Sequence, residues 1–275
     1  MTPNAQAMER LIEIMARLRA PNGCAWDREQ TPVTLKPQML EECYEVLEAI
    51  DSGAPGHLTE ELGDLLLHIV FQAQIAREAG DFTFADVANG IADKLIRRHP
   101  HVFGDAKVED AAGIVAQWHK LKQEEKPERQ SALDGVPRTL PALMRAEALQ
   151  KKARQVGFDW PDVQGSLEKV REEVTELTAE IESDLAFAHA NESTFVLAPE
   201  AAEELGDLLF SVVNLTRHLK LDAEELLTAA NDKFARRFRA VEERIRAQGK
   251  AMEGCTLAEL DAAWDGVKDG ENATH

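Results

Sequence analysis

Four pairs of acidic side chains, with the two members of each pair three residues apart, are the feature of this sequence best suited to chemistry. The pairs are Glu42 and Glu45, Glu61 and Asp64, Glu173 and Glu176, and Glu204 and Asp207. Residues three apart share one face of a helix, so each pair projects two carboxylates from one side. Two such helices packed antiparallel would bring four carboxylates together. An all-oxygen cluster of this kind suits Mg²⁺ or Mn²⁺ better than zinc or copper.

A cluster of carboxylates is stable only in particular surroundings. Two carboxylates about 5 Å apart repel by roughly 3 kcal/mol at an effective dielectric near 20, and by under about 1 kcal/mol in open water. A solvated helix face tolerates this repulsion, whereas a half-buried cleft requires a cation. With 50 acidic residues in the chain, one pair alone is typical of a solvated face, but four pairs favour a metal site. Spacing does not choose between Glu60 and Glu61, because both lie within a turn of Asp64.

The acidic pairs belong to a longer unit that occurs twice. Four stretches recur in the same order: AWD at 25–27 with GFD at 157–159, LEECYEVLEAI at 40–50 with REEVTELTAEI at 171–181, EELGDLLL at 60–67 with EELGDLLF at 203–210, and KLIRR at 94–98 with KFARR at 233–237. Only the loop lengths between them differ. The pattern indicates duplication of a whole structural unit.

Histidine provides the alternative metal chemistry. Di-iron carboxylate bundles use Glu-x-x-His ligand pairs, and none of the eight histidines follows a glutamate at that spacing. His68 lies one turn after Asp64 and is either a ligand or a histidine satisfied on a helix face. The second copy has Ser211 at the corresponding position.

The elements that must carry these residues are helices. Apolar residues recur at helical spacing in both copies, at Leu62, Leu66, Ile69, Val70 and Ala73 and again at Leu205, Leu209, Val212 and Val213. No stretch alternates with period two for long enough to indicate a strand. We expect an all-α fold with three or four helices in each half, in which Leu62, Leu66 and their counterparts face the core.

A linker separates the two copies. The stretch KPERQSALDGVPRTLPAL, at 126–143, contains three prolines and a DG pair, a composition that breaks helices. The boundary is expected near residue 134, with one domain over 1–130 and a second over 134–275.

A basic cluster follows the second acidic helix of each copy. The clusters are Lys94, Arg97 and Arg98, then Lys233, Arg236 and Arg237. Surface pairing with acidic residues is one interpretation, but recurrence at the same place favours a common role. A polyphosphate needs metal-bound carboxylates and a cationic face of this kind. A late tryptophan in each copy, Trp118 or Trp264, either stacks on a base or fills a core.

The totals limit the partners and the compartment. A net charge of −19 repels nucleic acid backbones and anionic membrane surfaces, so neither is an expected partner. Three cysteines without a CxxC pair indicate a reducing cytoplasm. The N-terminus lacks the apolar core of a signal peptide, and the longest apolar run, LLLHIVF at 65–71, is too short to span a bilayer.

Taken together, these motifs resemble a known family. EExxE, then ExxD, then KxxRR and a late Trp, present in tandem, are similar to MazG, the nucleoside triphosphate pyrophosphohydrolases of the all-α NTP pyrophosphatase superfamily. The resemblance spans nearly the whole chain, including CAWDREQT at 24–31. It implies a homodimer of tandem helical-bundle domains. It also implies Mg²⁺-dependent binding and hydrolysis of NTPs or dNTPs, ATP among them, to the monophosphate and pyrophosphate.

The resemblance also implies residue roles, and it selects the second Glu of each EE. The metal ligands and catalytic centre of the second half become Glu173, Glu176, Glu204 and Asp207. The implied nucleotide contacts are Lys169, Val170, Arg171, Glu172, Glu173, Glu200, Ala201, Ala202, Glu203, Asn231, Lys233, Phe234, Ala235, Arg236, Arg237 and Trp264. In the first half the corresponding ligands are Glu42, Glu45, Glu61 and Asp64, and the phosphate candidates are Lys94, Arg97, Arg98 and Trp118.

The two halves differ at one position of the family pattern. An Asn two residues before the Lys is present as Asn231 but is Ala92 in the first copy. We therefore expect the second half to be the principal catalytic domain. The alternative is a non-catalytic nucleotide-sensing or regulatory dimerisation module, whose signature would be a lost carboxylate in each quartet, and no such loss occurs. A third possibility is a helical interaction scaffold, which would show no thermal shift with Mg²⁺ and nucleotide.

Overall fold

The computed structural model describes residues 2–104, 110, 113–114, 130–191 and 194–272. The chain divides into two compact units, Met1–Pro127 and Glu128–His275. The described residues form helices, turns and loops without a strand, so the all-α prediction is confirmed. No helix in these ranges has both the length and the apolar character needed to cross a bilayer.

The first unit contains six helices within its described residues. They are α1 (Pro3–Leu18), α2 (Ala25–Glu29), α3 (Lys36–Ser52), α4 (Pro55–Ala79), α5 (Phe84–Arg98) and α6 (Pro100–Phe103). Two of these, α2 and α6, are five and four residues long and account for the excess over the three or four expected. The acidic pairs of this unit lie on α3 and α4, which pack against each other.

The second unit contains five α-helices among its described residues, with one short 3₁₀ turn. They are α7 (Ala142–Gln155), α8 (Val163–Ala190), α9 (Pro199–His218), α10 (Ala223–Ala247) and α11 (Leu257–Asn272), and the 3₁₀ turn is Met252–Gly254. The acidic pairs lie on α8 and α9, which pack against each other more extensively than any other described pair.

Local sequence signals fix the ends of the acidic helices. Both α4 and α9 begin at a proline, Pro55 and Pro199, whose missing N–H would be unpaired at a helix start in any case. After α4 the chain turns at Gly80, whose φ of 80° is the left-handed conformation that glycine adopts easily. Asp162 caps α8 by accepting from the Gln164 N–H at 2.9 Å.

Each unit has its own apolar core. In the first unit, the buried side chains of Met15, Leu35, Val70 and Phe71 form one cluster, and Leu66 packs against it. In the second, the buried cluster is Val241, Ile245 and Ala263, which joins α10 to α11. Burial of these side chains contributes about 1.5–3 kcal/mol for each large apolar residue.

The predicted core face of the acidic helices is only partly buried. Leu66 packs into the core as expected, but Leu62 is 48% exposed. In the second unit, Leu205 and Leu209, the counterparts of Leu62 and Leu66, are 44% and 56% exposed. The prediction is therefore wrong for these three residues. Helical spacing identifies an apolar face, but it does not say whether the same chain covers it.

Candidate active site

Three carboxylates of the second unit converge between α8 and α9. Oxygen atoms of Glu173, Glu204 and Asp207 all lie within 4.8 Å of one another. Glu173 is 3% exposed, whereas Asp207 is open to solvent. The cluster therefore has a buried side and an open side.

The two helices run antiparallel, as the sequence-based argument requires. Glu173 lies beside Asp207, while farther along α8 the Asp184 carboxylate accepts a hydrogen bond at 2.8 Å from the Ala198 N–H, just before α9. The residue numbers therefore rise along α8 in the direction in which they fall along α9. This geometry brings the two ExxE/D pairs face to face.

The fourth predicted ligand of this unit, Glu176, lies outside the group of three but acts on it electrostatically. Burial raises the pKa of Glu204 above its usual 4.5, and the negative charges of Glu176 and Glu173 raise it further. A carboxyl whose pKa is raised by like charges indicates an excess of negative charge at this point. A cation bound here would relieve the repulsion.

Lys169 supplies part of that compensation. Its Nζ lies 2.7 Å from Glu173 Oε1 and 2.9 Å from Glu172 Oε1. Hydrogen bonds to Glu172 and then Glu173 raise the pKa of Lys169 well above its usual value. The lysine sits one turn before Glu173 on α8, so it neutralises one edge of the cluster and leaves the face toward α9 acidic.

The first unit has a corresponding cluster. Oxygen atoms of Glu42, Glu45 and Glu61 lie within 4.8 Å of one another, each residue being half-buried. Asp64 lies outside this group. The pKa of Glu42 is raised by burial first and by Glu45 next, with a smaller contribution from the charge of Asp64.

Two histidines lie beside the first cluster. His57 Nε2 is 3.2 Å from Glu61 Oε1, and His68 Nε2 is 3.8 Å from Glu42 Oε1. Burial lowers the pKa of His68, which favours its neutral form. Sequence reasoning considered His68 but missed His57, although its position four residues before Glu61 was the available signal.

The second basic cluster lies on α10 and contacts the C-terminal helix. Arg236 Nη2 is 3.3 Å and Arg237 Nη2 is 2.7 Å from the Glu271 carboxylate of α11, and the pKa of Glu271 is lowered mainly by its hydrogen bond from Arg237. The structure thus places these arginines against Glu271 rather than against the carboxylates of α8 and α9. Lys233 is exposed on the same helix. Sequence reasoning missed Glu271, which lies 34 residues after Arg237 without a local pattern to mark it.

The remaining predicted nucleotide contacts have varied surroundings. Trp264 packs on the α10–α11 core, with its ring centroid 5.4 Å from that of Phe234. Ala201 is fully buried in the first turn of α9, while Glu200, Ala202 and Glu203 are exposed there. Exposed or half-buried positions on their helices are held by Val170, Arg171, Glu172, Asn231 and Ala235.

The phosphate candidates of the first unit lie near the end of α5. Lys94 is half-buried, Arg97 is exposed and Arg98 is buried. Trp118 lies outside the described residues.

The donor atoms of both clusters fit a hard divalent cation. Carboxylate oxygens are the ligands that Mg²⁺ and Mn²⁺ prefer, and the raised pKa of Glu204 and of Glu42 reflects negative charge that such a cation would offset. The geometry defines an all-α protein with a duplicated cluster of carboxylates whose oxygen atoms suit a divalent cation.

The comparisons with known proteins agree with this class. The family model of the MazG nucleotide pyrophosphohydrolase domain matches the chain twice, at residues 30–103 and 162–241. A nucleoside triphosphate pyrophosphohydrolase of Escherichia coli K12 is 46% identical over 267 residues, which cover 96% of this chain and 98% of that protein. The nucleoside triphosphate pyrophosphohydrolase/pyrophosphatase MazG of Thermotoga maritima is 45% identical over 264 residues, 96% of each chain. The chain belongs to the MazG nucleotide pyrophosphohydrolase family.

Proposed function

We propose that this protein is an enzyme that hydrolyses nucleoside and deoxynucleoside triphosphates to the monophosphate and pyrophosphate. The observation that carries the proposal is the convergence of Glu173, Glu204 and Asp207 within 4.8 Å, repeated by three carboxylates of the first unit. Membership of the MazG family and the names of the full-length relatives support the same reaction.

The carboxylates of α8 and α9 would hold Mg²⁺, or Mn²⁺ in its place. Glu173, Glu204 and Asp207 would contact the metal directly, and Glu176 would complete the set from the same face of α8. When bound, such a cation polarises phosphate oxygens and lowers the pKa of water. Lys169 would hold the Glu173 side chain in position through their 2.7 Å contact.

The cationic residues would receive the phosphates. Lys233, Arg236 and Arg237 lie on one face of α10, where bidentate contacts from Arg suit phosphate oxygens. Glu271 forms ion pairs with both arginines, so a triphosphate would have to displace its carboxylate to reach them.

Two differences support the second unit as the principal active site. Asn231 precedes its basic cluster, whereas the first copy has Ala92. Lys169 contacts Glu173, whereas the residue four before Glu42 is Gln38, which carries no charge. The first unit would keep its carboxylates and lose part of its cationic surroundings.

A product assay tests the reaction. With dGTP and Mg²⁺, we expect the wild type to release pyrophosphate and Glu173→Gln or Asp207→Asn to lose that release. Glu182→Gln is the matched control, since it removes one exposed carboxylate from the same helix without touching the cluster. Unchanged release by the cluster variants contradicts the site, and orthophosphate as product contradicts the bond cleaved. Binding of nucleotide without any product would favour the sensing module instead.

We propose further that the protein is a homodimer. The acidic helices leave large apolar side chains exposed in the single chain, among them Leu62, Ile69, Leu205 and Leu209. A second copy would remove them from water. Light scattering should give twice the chain mass for the wild type and a lower mass for Leu209→Asp, while a monomeric wild type would contradict the proposal. A cytoplasmic location is consistent with the free cysteines Cys24, Cys43 and Cys255.

A further inference from the structure

A buried histidine lies against the acidic cluster of the first unit. His68 is 7% exposed, and its Nε2 lies 3.8 Å from Glu42 Oε1, beyond hydrogen-bond distance. Its other ring nitrogen, Nδ1, is buried and has no hydrogen-bond partner among the described residues. Buried polar atoms nearly always have a partner, so this imidazole has a binding capacity that the described residues do not satisfy.

The separation of His68 Nε2 and Glu42 Oε1 suits a shared cation better than a hydrogen bond. An N–H···O bond joins atoms about 2.9 Å apart. Two ligand atoms that each lie about 2.1 Å from one ion are separated by roughly 3.0 to 3.4 Å at common bond angles. The observed 3.8 Å is closer to the spacing of ligand atoms. A shift of under about 1 Å in either side chain would reach that spacing.

Asp64 adds a second carboxylate beside the imidazole. It lies four residues before His68 on α4, and residues at this spacing project from one side of a helix. Burial lowers the pKa of His68 and the negative charge of Asp64 opposes this shift, which places the carboxylate near the ring. The same charge adds to the raised pKa of Glu42, after burial and Glu45. His68, Glu42 and Asp64 therefore lie near one another where α3 packs on α4.

The first cluster lacks the lysine that compensates the second. Its three carboxylates have oxygen atoms within 4.8 Å of one another, with Asp64 beside them. In the second unit Lys169 Nζ lies 2.7 Å from Glu173 Oε1, whereas the corresponding residue of the first unit is Gln38. An uncharged amide thus stands in place of an ammonium group. The first cluster therefore depends more strongly on a bound cation to offset its negative charge.

The other histidine of this centre is less suited to hold an ion. The His57 side chain is 42% exposed, and its Nε2 lies 3.2 Å from Glu61 Oε1, within the range of an ordinary surface ion pair. The His68 side chain is only 9% exposed, so packing restricts the positions that its ring can take. A ligand held by packing loses less freedom when it binds a cation.

The second unit has no imidazole at the matching position. Ser211 stands where His68 does relative to the repeated EELGDLL phrase. Oxygen ligands suit Mg²⁺, whereas imidazole is the commonest nitrogen ligand of transition metals. Replacing a serine by a histidine at this position therefore changes the class of cation that the centre favours.

From these observations we propose that the first centre binds a divalent transition-metal ion, with His68 Nε2, Glu42 and Asp64 as ligands. The second centre, with Ser211 in place of the imidazole, keeps Mg²⁺. The ion of the first centre offsets the charge of its carboxylates and joins α3 to α4. The chain then carries two different cations, one in each unit. The proposal does not depend on the reaction proposed for the second unit.

Pulsed electron paramagnetic resonance of the full chain loaded with Mn²⁺ tests the nitrogen ligand directly. An imidazole nitrogen bound to Mn²⁺ gives a nitrogen coupling, whereas carboxylates and water do not. We expect this coupling in the wild type and its loss in His68→Gln. His57→Gln and the exposed His189→Gln are the matched controls and should keep it. The proposal is overturned if the wild type shows no coupling, if folded His68→Gln keeps it, or if His57→Gln loses it.

Calorimetric titration with Zn²⁺ and with Mg²⁺ measures the selectivity of the first centre. The background for this titration is Glu173→Gln with Asp207→Asn, which removes two carboxylates from the second cluster. Adding His68→Gln should weaken Zn²⁺ binding at least about tenfold and leave Mg²⁺ binding within about twofold, because the oxygen ligands remain. Equal weakening for the two ions would mean that His68 supports the packing and is not a ligand. Melting curves establish that each variant is folded.

The product assay separates this metal site from the proposed reaction. A nitrogen coupling in a wild type that releases no pyrophosphate upholds the site and contradicts the reaction. Pyrophosphate release by a wild type without the coupling upholds the reaction and rules out the histidine ligand.

Discussion

Glu204 is the carboxyl of the second cluster on which burial and four neighbouring carboxylates act together. Its pKa is raised by burial and by the carboxylates of Glu176, Glu173, Asp207 and Glu180. A raised pKa means that the folded protein retains this proton to a higher pH than the unfolded chain does. The neighbouring carboxylates repel one another in the folded protein, and a bound cation would relieve this repulsion.

This repulsion makes the metal-free protein sensitive to pH. As the pH rises from 4.5 through the higher folded pKa of Glu204, the folded state releases the proton later than the unfolded state, so stability decreases. Melting curves in chelator should show this loss for the wild type and a smaller one for Glu204→Gln. Glu182→Gln should behave as the wild type. Identical pH slopes in the wild type and Glu204→Gln would contradict the assignment.

A second prediction at the residue scale concerns Asp159. Hydrogen bonds from Arg217 lower the pKa of Asp159, so the pair contributes stability above pH 3.8 that is lost as the pH falls through the lower folded pKa. Both side chains are largely buried. Removing one partner of such a pair costs about 3–5 kcal/mol, and we expect denaturant unfolding to detect this loss in Asp159→Asn. Glu147→Gln, which breaks the more exposed pair with Lys151, should cost under about 1 kcal/mol; equal effects would contradict the prediction.

At the scale of elements, the sequence predicted the features that depend on regular spacing along a helix. The all-α class followed from helical periodicity, and the spacing of Glu204 and Asp207 indicated one face of one helix, as the structure has it. The ion pair of Asp159 with Arg217 was not predictable, because the two residues are 58 apart in the sequence and meet only through packing. Leu209 was predicted to face the core but is 56% exposed, because helical spacing identifies an apolar face without showing whether the same chain covers it.

The C-terminal helix α11 bears on the proposed phosphate site through Glu271. Its carboxylate forms ion pairs with Arg236 and Arg237, and solvent screens ion pairs at this level of exposure, so they are weak. Glu271→Gln should therefore lower KM for dGTP by no more than about fivefold, since the substrate no longer competes with a carboxylate. Asp269→Asn, an exposed change on the same helix, should leave KM unaltered. A higher KM in Glu271→Gln would mean that this residue orients the arginines for substrate.

For the whole molecule, duplication has produced two similar acidic centres with different surroundings. The first has His57 and His68 beside its carboxylates, and the second has Lys169. Lys169 keeps its charge because its carboxylate partners raise its pKa, whereas burial lowers the pKa of His68, and a neutral histidine does not compensate a carboxylate. The two centres should therefore differ in their affinity for anionic substrates.

Matched variants in the full chain measure that difference. Glu173→Gln should lower pyrophosphate release by at least about a hundredfold, because it removes a buried carboxylate of the centre that we propose as the principal one. Glu42→Gln makes the same chemical change in the first unit and should lower it far less. Equal losses of pyrophosphate release in steady-state assays would show that the two units contribute equally to the reaction.

Gly165 determines where the Trp160 ring can lie at the start of α8. Its missing side chain leaves room for Trp160, because any Cβ would come within 2.7 Å of the indole. Replacing it with alanine would displace the ring without altering any carboxylate of the acidic clusters. The start of α8 can therefore be rearranged through a residue that has no side chain of its own, and comparing charged residues alone would miss such a change.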